Sequence, residues 1–248
     1  MLKDKLAVLT DALKNIVSGE RRHYTSAVIL AAGTGERFGT DVKKQLFLLD
    51  GIPVALRTLI AFENCSKIDE IVLVTREDET EIMREYCEHY KISKLRSVVV
   101  GGSTRQESSL IGFEAISPDS EYVLFHDGAR CLVTDELITA VLRDAYKYRA
   151  AIAAEKTVDT VKYATDDGFV DSTVDRNYVW LAKTPQVFMT NMYRAAVYTA
   201  NRDGITATDE SMLAERLGFK VKLTDCGREN IKITTKDDIA IAVAVLEK

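Results

Sequence analysis

Apolar and polar stretches alternate along the chain, and their lengths and spacing predict strands and helices in turn. The first apolar run, SAVILAA from Ser26, is typical of a strand buried on both faces of a parallel sheet. Similar runs follow, separated by segments with helical spacing: DEIVLVT, RSVVVGG, EYVLFHD and AAIAAEK. Because strands and helices alternate with short connections, the pattern predicts an α/β fold, with a mostly parallel Rossmann-like sheet flanked by helices.

The alternation of strands and helices stops after Lys156. The next segment, DTVKYATDDGFVDSTVDR, is polar and alternating and carries a DDG turn, which predicts a β-hairpin. Since it has too few apolar side chains for a core of its own, we expect a projecting β-arm that packs on another body, with a second subunit as the natural candidate. Beyond the arm, helices are predicted from about Asn191, in DESMLAERLG and from near Lys236, and strands in KVKLTDC and NIKIT.

An amphipathic helix is predicted before the first strand. Its apolar residues recur at helical spacing and a glycine follows as a stop: Leu2, Leu6, Leu9, Leu13, Ile16 and Gly19. We therefore divide the chain into an N-terminal helical extension, residues 1–24, and one domain, residues 25–248, which includes the β-arm at about 157–178.

Composition narrows the class of protein. The 248 residues are 46% hydrophobic and 29% charged, as in soluble globular proteins. The net charge of -5 argues against a broad nucleic-acid or anionic-membrane surface, although it allows a small basic pocket. The four cysteines form no C-x-x-C pair, the N-terminus lacks the apolar core of a signal peptide, and no apolar run reaches membrane-spanning length. We expect a cytoplasmic protein without nucleic-acid or membrane partners.

A glycine-rich loop, GTGERFGTDVKKQ, follows the first strand, where open α/β sheets bind ligands. The dinucleotide fingerprint fails because Gly33 and Gly35 fit but the next glycine, Gly39, comes one position late. The Walker A pattern fails because no G-K-S/T closes the loop. What remains is a glycine loop with the cations Arg37 and Lys44, which suits a triphosphate. A tight turn with surface cations is an equally good interpretation of this loop alone.

Later segments add polar residues at the same edge of the predicted sheet. Asp127 of HDGAR ends the fourth strand and suits Mg²⁺, which binds one or two carboxylates plus substrate phosphates, although it could instead cap a turn. In GGSTRQESS, Gly102 and Ser108 suit contacts with a base or ribose, whereas Thr104 could be an ordinary N-cap. Lys232 lies in the predicted strand NIKIT and is either an edge residue or a cleft residue.

The order of these segments resembles one known family. LAAGTGERFG, KKQ, GGSTRQESS, HDGAR, DTVK, TVDRNYVWLAKTPQ, ATDE and ENIKIT occur in the order seen in the 2-C-methyl-D-erythritol 4-phosphate cytidylyltransferase family of the non-mevalonate isoprenoid pathway. The resemblance runs from about Ser26 to the C-terminus. The glycine loop is shared by many nucleotidyltransferases, whereas DTVK, TVDRN and ATDE are more specific.

The resemblance implies a fold of the nucleotide-diphospho-sugar transferase type and a Mg²⁺-dependent reaction of CTP with methylerythritol phosphate. The implied site residues fall into four groups: catalytic Arg37, Lys44, Arg176 and Lys232; nucleotide-binding Ala32, Gly33, Gly35, Gly102, Arg105 and Ser108; substrate-binding Arg130, Thr160 and Thr184; and Asp127 near the metal. It also implies a homodimer in which the β-arm reaches across, so that Arg176 would serve the neighbouring site.

The chain departs from the family pattern at four positions. Lys43 stands where proline is usual, Gly128 and Cys131 replace an alanine and a proline, and Lys183 replaces a glutamine. A ribitol 5-phosphate cytidylyltransferase, which shares the glycine loop and NIKIT, is the nearest alternative, and a catalytically silent nucleotide-binding regulator is a second. A Rossmann oxidoreductase is disfavoured by the glycine spacing.

Overall fold

The computed structural model describes residues 21–35, 38–39 and 43–247. The predicted N-terminal helix and Arg37 therefore lie outside the described residues, and of the predicted extension only residues 21–24 are described. Among the described helices, none is both long enough and apolar enough to cross a membrane.

The described strands and helices follow the predicted order closely. The strands are β1 (Thr25–Leu30), β2 (Leu48–Leu49), β3 (Ile52–Pro53), β4 (Glu70–Thr75), β5 (Leu95–Val100), β6 (Tyr122–Asp127), β7 (Ala150–Lys156), β8 (Lys162–Ala164), β9 (Val170–Thr173), β10 (Trp180–Met189) and β11 (Lys222–Asp225). The helices are α1 (Val54–Asn64), α2 (Thr80–His89), α3 (Arg105–Glu114), α4 (Asp135–Tyr148), α5 (Thr190–Arg202), α6 (Glu210–Arg216) and α7 (Asp237–Leu246). Short 3-10 turns occupy Lys44–Leu46, Glu77–Glu79 and Arg176–Tyr178.

In the described part of the chain, the central sheet has seven strands in the order β11-β7-β10-β6-β1-β4-β5. β10 runs antiparallel to both of its neighbours, and every other neighbouring pair is parallel. The prediction of a mostly parallel α/β sheet is therefore confirmed, with β10 making it mixed. The polar segment after β7 contains β8 and β9, which pair antiparallel to each other as a separate ribbon.

Helices cover both faces of the sheet, which explains why β1, β4 and β6 are buried at every position. In β1, Ala27 and Ile29 face one core with α1, α2 and α4, whereas Val28 and Leu30 face the other core with α3, α5 and α6. Burying a valine, leucine or isoleucine side chain stabilises the fold by roughly 1.5–3 kcal/mol. These two apolar layers therefore fix the positions of the strands and of the loops that follow their carboxyl ends.

The predicted strand in NIKIT is wrong: residues 230–234 have irregular backbone. The Ile233 amide donates to the carbonyl oxygen of Ala129 (2.9 Å), which belongs to a loop after β6 and not to another strand. Ile233 is fully buried in a third apolar cluster with Leu49, Val54 and Ala242 of α7. The apolar alternation thus reflects packing on a loop and a helix, and it still turns Lys232 away from that cluster.

Candidate active site

A pocket of about 1180 Å³ opens at the carboxyl ends of β1, β4, β5 and β6. Its walls are residues 32–35 after β1, 75–78 at the end of β4, 100–105 after β5, and Asp127 at the end of β6. These four strands are parallel neighbours, so their carboxyl ends meet at one edge, where α/β sheets bind ligands. The volume is that of a site for a nucleotide-sized ligand.

Most of the predicted site residues lie together in this pocket. Those that line it are Ala32, Gly33, Gly35, Lys44, Gly102, Arg105, Ser108, Asp127 and Lys232. They come from distant parts of the sequence, so the fold and not local sequence brings them together.

The glycine loops are shaped by close backbone approaches. Gly35 has φ +71°, a left-handed conformation that favours glycine, and a Cβ there would lie 3.3 Å from the Cβ of Lys44. A Cβ on Gly101 would lie 2.5 Å from that of Ala32, so the loops after β1 and β5 touch only because Gly101 has no side chain. The Gly102 amide donates to the Ser108 hydroxyl (3.1 Å), which ties the second loop to α3.

Asp127 lies at the centre of a group of three cations. Its carboxylate is 2.9 Å from Lys232 Nζ, 3.4 Å from Arg130 Nε and 3.5 Å from Arg105 Nη2. Burial opposes ionisation of Asp127, but the charges of Lys232, Arg105 and Arg130 outweigh burial and hold its pKa well below the usual range. The carboxylate therefore stays ionised and can orient the cations at the base of the pocket.

Thr184 and His126 fix the backbone of Asp127 through hydrogen bonds. The Asp127 amide donates to the Thr184 hydroxyl (3.0 Å), which lies 3.1 Å from His126 Nδ1. His126 Nε2 lies 3.2 Å from the carbonyl oxygen of Arg130. Because a carbonyl oxygen can only accept, Nε2 carries the proton and donates it. In the neutral ring Nδ1 is then an acceptor, and the Thr184 hydroxyl donates to it. Burial lowers the pKa of His126 to about 3, in agreement with a neutral ring.

The segment before Lys232 is fixed by hydrogen bonds to the same group. Arg130 Nη1 donates to the Asn230 carbonyl oxygen (3.0 Å), and Asn230 Nδ2 donates to the Thr184 carbonyl oxygen (2.9 Å). Together with the buried Ile233, these bonds direct the side chain of Lys232 toward Asp127. Arg130 and Thr184 thus lie beneath the pocket and support it, since neither is among its lining residues.

The remaining predicted residues are not brought to this pocket by the described chain. Arg176 and Thr160 are exposed on the β-arm, and neither lines the pocket. Arg176 Nη1 donates to the carbonyl oxygen of Val158 (2.6 Å), which ties the two sides of the arm together at its base.

The predicted site residues omit several that line the pocket, Gln45 among them, and they omit Glu210, which contacts the lining residue Arg105. Gln45 and Glu210 both lie in quoted motifs, KKQ and ATDE. Gln45 of KKQ lines the pocket, and its buried Oε1 has no hydrogen-bond partner. Glu210 of ATDE is buried and lies 2.6 Å from Arg105 Nη1. The ATDE motif was the signal in the sequence that could have drawn attention to Glu210. Its contact with Arg105 could not be found in this way, because the two residues are 105 positions apart and no local pattern links them.

The structure shows what surrounds the residues at the four positions that depart from the family pattern. Lys43 pairs with Asp78 (2.6 Å) at the pocket rim, and Lys183 pairs with Glu155 (2.7 Å) in the sheet. A Cβ on Gly128 would lie 3.2 Å from the Cβ of Ala31, so glycine relieves a tight contact. Cys131 packs in the third apolar cluster, and burial raises the pKa of its thiol to about 11.

The pocket suits a metal ion carried by a phosphorylated ligand better than a protein-enclosed metal site. Within the described ranges, no group of three or more His, Cys, Asp or Glu side chains could hold a metal ion. Asp127 nevertheless presents one ionised carboxylate in the pocket, and Mg²⁺ is commonly bound by one or two carboxylates plus substrate phosphates. The donor set therefore fits Mg²⁺ only in that shared mode.

Comparison with known proteins points to one family. Residues 25–248 match the family model described as IspD, 2-C-methyl-D-erythritol 4-phosphate cytidylyltransferase. A curated relative of that name from Caldanaerobacter subterraneus is 41% identical over 224 residues, which cover 90% of this chain and 99% of the relative. A second, from Syntrophus aciditrophicus, is 39% identical over 223 residues, which cover 90% of this chain and 95% of the relative.

Solved structures agree with the sequence comparison. A 4-diphosphocytidyl-2C-methyl-D-erythritol synthase from Anaerococcus prevotii superposes with a TM-score of 0.82 at 36% identity, covering 92% of this chain and 100% of that one. A 2-C-methyl-D-erythritol 4-phosphate cytidylyltransferase from Thermus thermophilus superposes with a TM-score of 0.73 at 27% identity, covering 91% of this chain and 100% of that one. Both superpositions cover more than nine-tenths of this chain.

Proposed function

The chain belongs to the 2-C-methyl-D-erythritol 4-phosphate cytidylyltransferase family, and from this premise we propose that its pocket transfers the cytidylyl group of CTP to 2-C-methyl-D-erythritol 4-phosphate. As a member of this family it is a nucleotidyltransferase. The observation that carries the proposal is the meeting of Lys44 and Lys232, from opposite ends of the domain, in one pocket with the glycine loops.

The proposed reaction forms one phosphorus–oxygen bond and breaks another. A phosphate oxygen of methylerythritol phosphate attacks the α-phosphorus of CTP, and the bond from that phosphorus to the β-phosphate oxygen breaks. The electron pair leaves with pyrophosphate, and the other product is CDP-methylerythritol. The nucleophile is already an anion, so the protein needs no activated serine, cysteine or histidine, and catalysis consists of positioning and charge stabilisation.

The positive side chains of the pocket suit that task. Lys44, which lines the pocket, and Arg37, seven positions before it in the sequence, are proposed to stabilise the charge that develops at the α-phosphorus. Lys232 is proposed to orient the acceptor phosphate from the opposite side. Gly33, Gly35 and Gly102 leave room for a nucleotide against the backbone. Preorganised charges of this kind contribute more in a partly enclosed pocket than in water.

Asp127 has two proposed tasks in this reaction. It holds Lys232, Arg130 and Arg105 in place, and it offers a carboxylate to a Mg²⁺ ion that arrives with CTP. When bound, Mg²⁺ would supply neutralisation of the triphosphate and of the departing pyrophosphate. Arg105 and Ser108 are proposed to contact the nucleotide from the first two turns of α3.

The β-arm is proposed to complete the pocket of a second subunit. Its Arg176 and Thr160 are exposed and do not line the pocket of their own chain. Large apolar side chains are also exposed on the arm: Val158, Tyr163, Phe169, Val170 and Tyr178. So many exposed apolar side chains on one segment are unusual on a free surface, and they suit contact with another copy of the chain. Sedimentation velocity tests this part, since a monomer at micromolar concentration would contradict it.

Pyrophosphate release tests the reaction directly. The purified protein is incubated with CTP and Mg²⁺, and with either methylerythritol 4-phosphate or ribitol 5-phosphate. We expect rapid release with methylerythritol phosphate, slow release with ribitol phosphate, and loss of release when Mg²⁺ is chelated. Faster release with ribitol phosphate would overturn the proposed acceptor, and tight CTP binding without release would favour a regulator.

A further inference from the structure

The ATDE segment places a buried carboxylate behind the nucleotide side of the pocket. Glu210 is the first residue of α6 and is 2% exposed. Its Oε1 accepts hydrogen bonds from Arg105 Nη1 (2.6 Å) and from the Ser109 hydroxyl (2.6 Å). Both donors lie on α3, whose first turn forms a wall of the pocket. Glu210 does not itself line the pocket, so any effect on a ligand passes through another residue.

Arg105 is shared between two carboxylates. One terminal nitrogen, Nη1, lies 2.6 Å from Glu210, whereas the other, Nη2, lies 3.5 Å from Asp127. The charges of Glu210 and Asp127 outweigh the effect of burial and raise the pKa of Arg105, so its guanidinium is always charged. The shorter contact to Glu210 indicates that this residue determines where the guanidinium lies.

We propose that Glu210 is a positioning residue for Arg105. It holds the guanidinium on the nucleotide side of the pocket and prevents it from closing on Asp127, which then remains free to orient Lys232. This inference rests on the proposed function of the pocket. Its physical basis is competition between carboxylates for Arg105. Without the charge of Glu210, Asp127 would keep its direct contact with Arg105, whereas Asp209 acts on Arg105 only through its charge.

A purely structural role explains the carboxylate less well. Glu210 Oε2 is buried without a hydrogen-bond partner, and so is the neighbouring Tyr193 hydroxyl. A buried, half-satisfied carboxylate costs stability, and a glutamine could donate to such a hydroxyl while keeping an acceptor for Ser109. The charge of Glu210, not its hydrogen-bonding capacity, is what a glutamine could not replace.

A double-mutant cycle tests the inference. The variants are Glu210→Gln, Arg105→Ala and the pair, with Ser109→Ala as the matched control that removes the other bond to the same oxygen. We expect Glu210→Gln to lower kcat/KM for CTP by about tenfold or more, measured at a temperature well below the thermal midpoint of every variant. In the Arg105→Ala background the same change should lower kcat/KM for CTP by less than about twofold. Ser109→Ala should stay within about twofold of wild type.

The outcomes separate this inference from the proposed function. A fully active Glu210→Gln protein, or an equal loss with and without Arg105, would overturn the positioning role. If the wild-type protein releases no pyrophosphate with CTP and methylerythritol phosphate, the proposed reaction fails instead. Calorimetric titration of the same variants with CTP and Mg²⁺ then decides the role of Glu210, since weaker binding that depends on Arg105 would still support it.

Discussion

Asp127 meets cations that come from α3, from its own loop and from the segment before α7. These three cations outnumber by one the two carboxylates that they contact, Asp127 and Glu210, before Lys44 is counted. Breaking such a group by removing one partner leaves uncompensated charge, whereas a phosphate that enters it completes the pairing. The residues beneath the pocket therefore prepare it for anionic ligands.

Lys44 is the residue whose loss should affect the chemistry most clearly. Lys44→Ala should lower kcat by about 10²–10³, because removing one preorganised electrostatic contact costs roughly 3–4 kcal/mol in the transition state. Steady-state pyrophosphate release measures the effect, and an unchanged thermal midpoint shows that the fold is intact. The control is Lys43→Ala, which removes the exposed pair with Asp78 and should cost little. Near wild-type turnover of Lys44→Ala would refute its role.

His126 makes stability depend on pH. Its pKa is lowered by burial from 6.5 to about 3, so the unfolded chain binds a proton that the folded protein rejects. Above about pH 6.5 the ring is neutral in both states, and the free energy of unfolding keeps its full value. As the pH falls from there toward 3, the free energy of unfolding decreases by about 1.4 kcal/mol per pH unit. Between pH 7.5 and 5, wild type should therefore lose about 2 kcal/mol more stability than His126→Gln in urea unfolding. Parallel pH profiles for the two proteins would contradict this.

The sequence predicts residues at strand ends better than residues beneath them. Lys44 and Asp127 could be assigned to one edge of the sheet, because the carboxyl ends of parallel strands meet there. Lys232 could not, since the pattern placed it in a strand that does not form and left it as either an edge or a cleft residue. The burial of Thr184 and the contact of Glu210 with Arg105 could not be predicted, since they depend on side-chain packing between elements distant in sequence.

At the scale of elements, hydrophobic periodicity predicts six of the seven strands in the described central sheet and the helices around it, but it predicts no strand for β10 and a wrong one for NIKIT. Alternation predicts which side chains are buried without saying what buries them. Ile233 packs on a loop and on α7, so its segment alternates without pairing in a ladder. The short pair β2 and β3 was also missed, because two residues per strand are too few to show a period.

Gly112 determines how closely α3 packs on the sheet. An alanine Cβ there would collide with Val28 Cγ1 and lie 2.8 Å from Val74 Cγ2, both on rigid central strands. Gly112→Ala should therefore destabilise the protein by about 1–3 kcal/mol in urea unfolding, less the small gain in helix propensity. Glu114→Ala, on an exposed position of the same helix, should change stability by less than about 0.5 kcal/mol. A more stable Gly112→Ala protein would show that α3 can move away from the sheet.

At the scale of the whole molecule, net charge and site charge have opposite signs. The chain carries -5 overall, yet the cations of the pocket outnumber the carboxylates that hold them. A net negative surface disfavours extended polyanions such as nucleic acid, whereas a small basic pocket still attracts a triphosphate at short range. Selectivity for small phosphorylated ligands thus follows from where the charge lies.

Mixing two inactive variants tests whether the β-arm acts on a second subunit. If Arg176 serves the partner's pocket, a dimer of one Lys44→Ala subunit and one Arg176→Ala subunit contains one intact site. Random reassociation of equal amounts should then restore about a quarter of wild-type activity, because half of the dimers are mixed and each has one working pocket. Mixing Lys44→Ala with Lys232→Ala is the control and should restore nothing, since those residues line the same pocket of one chain. No recovery in the first mixture would show that Arg176 does not act on the partner's pocket.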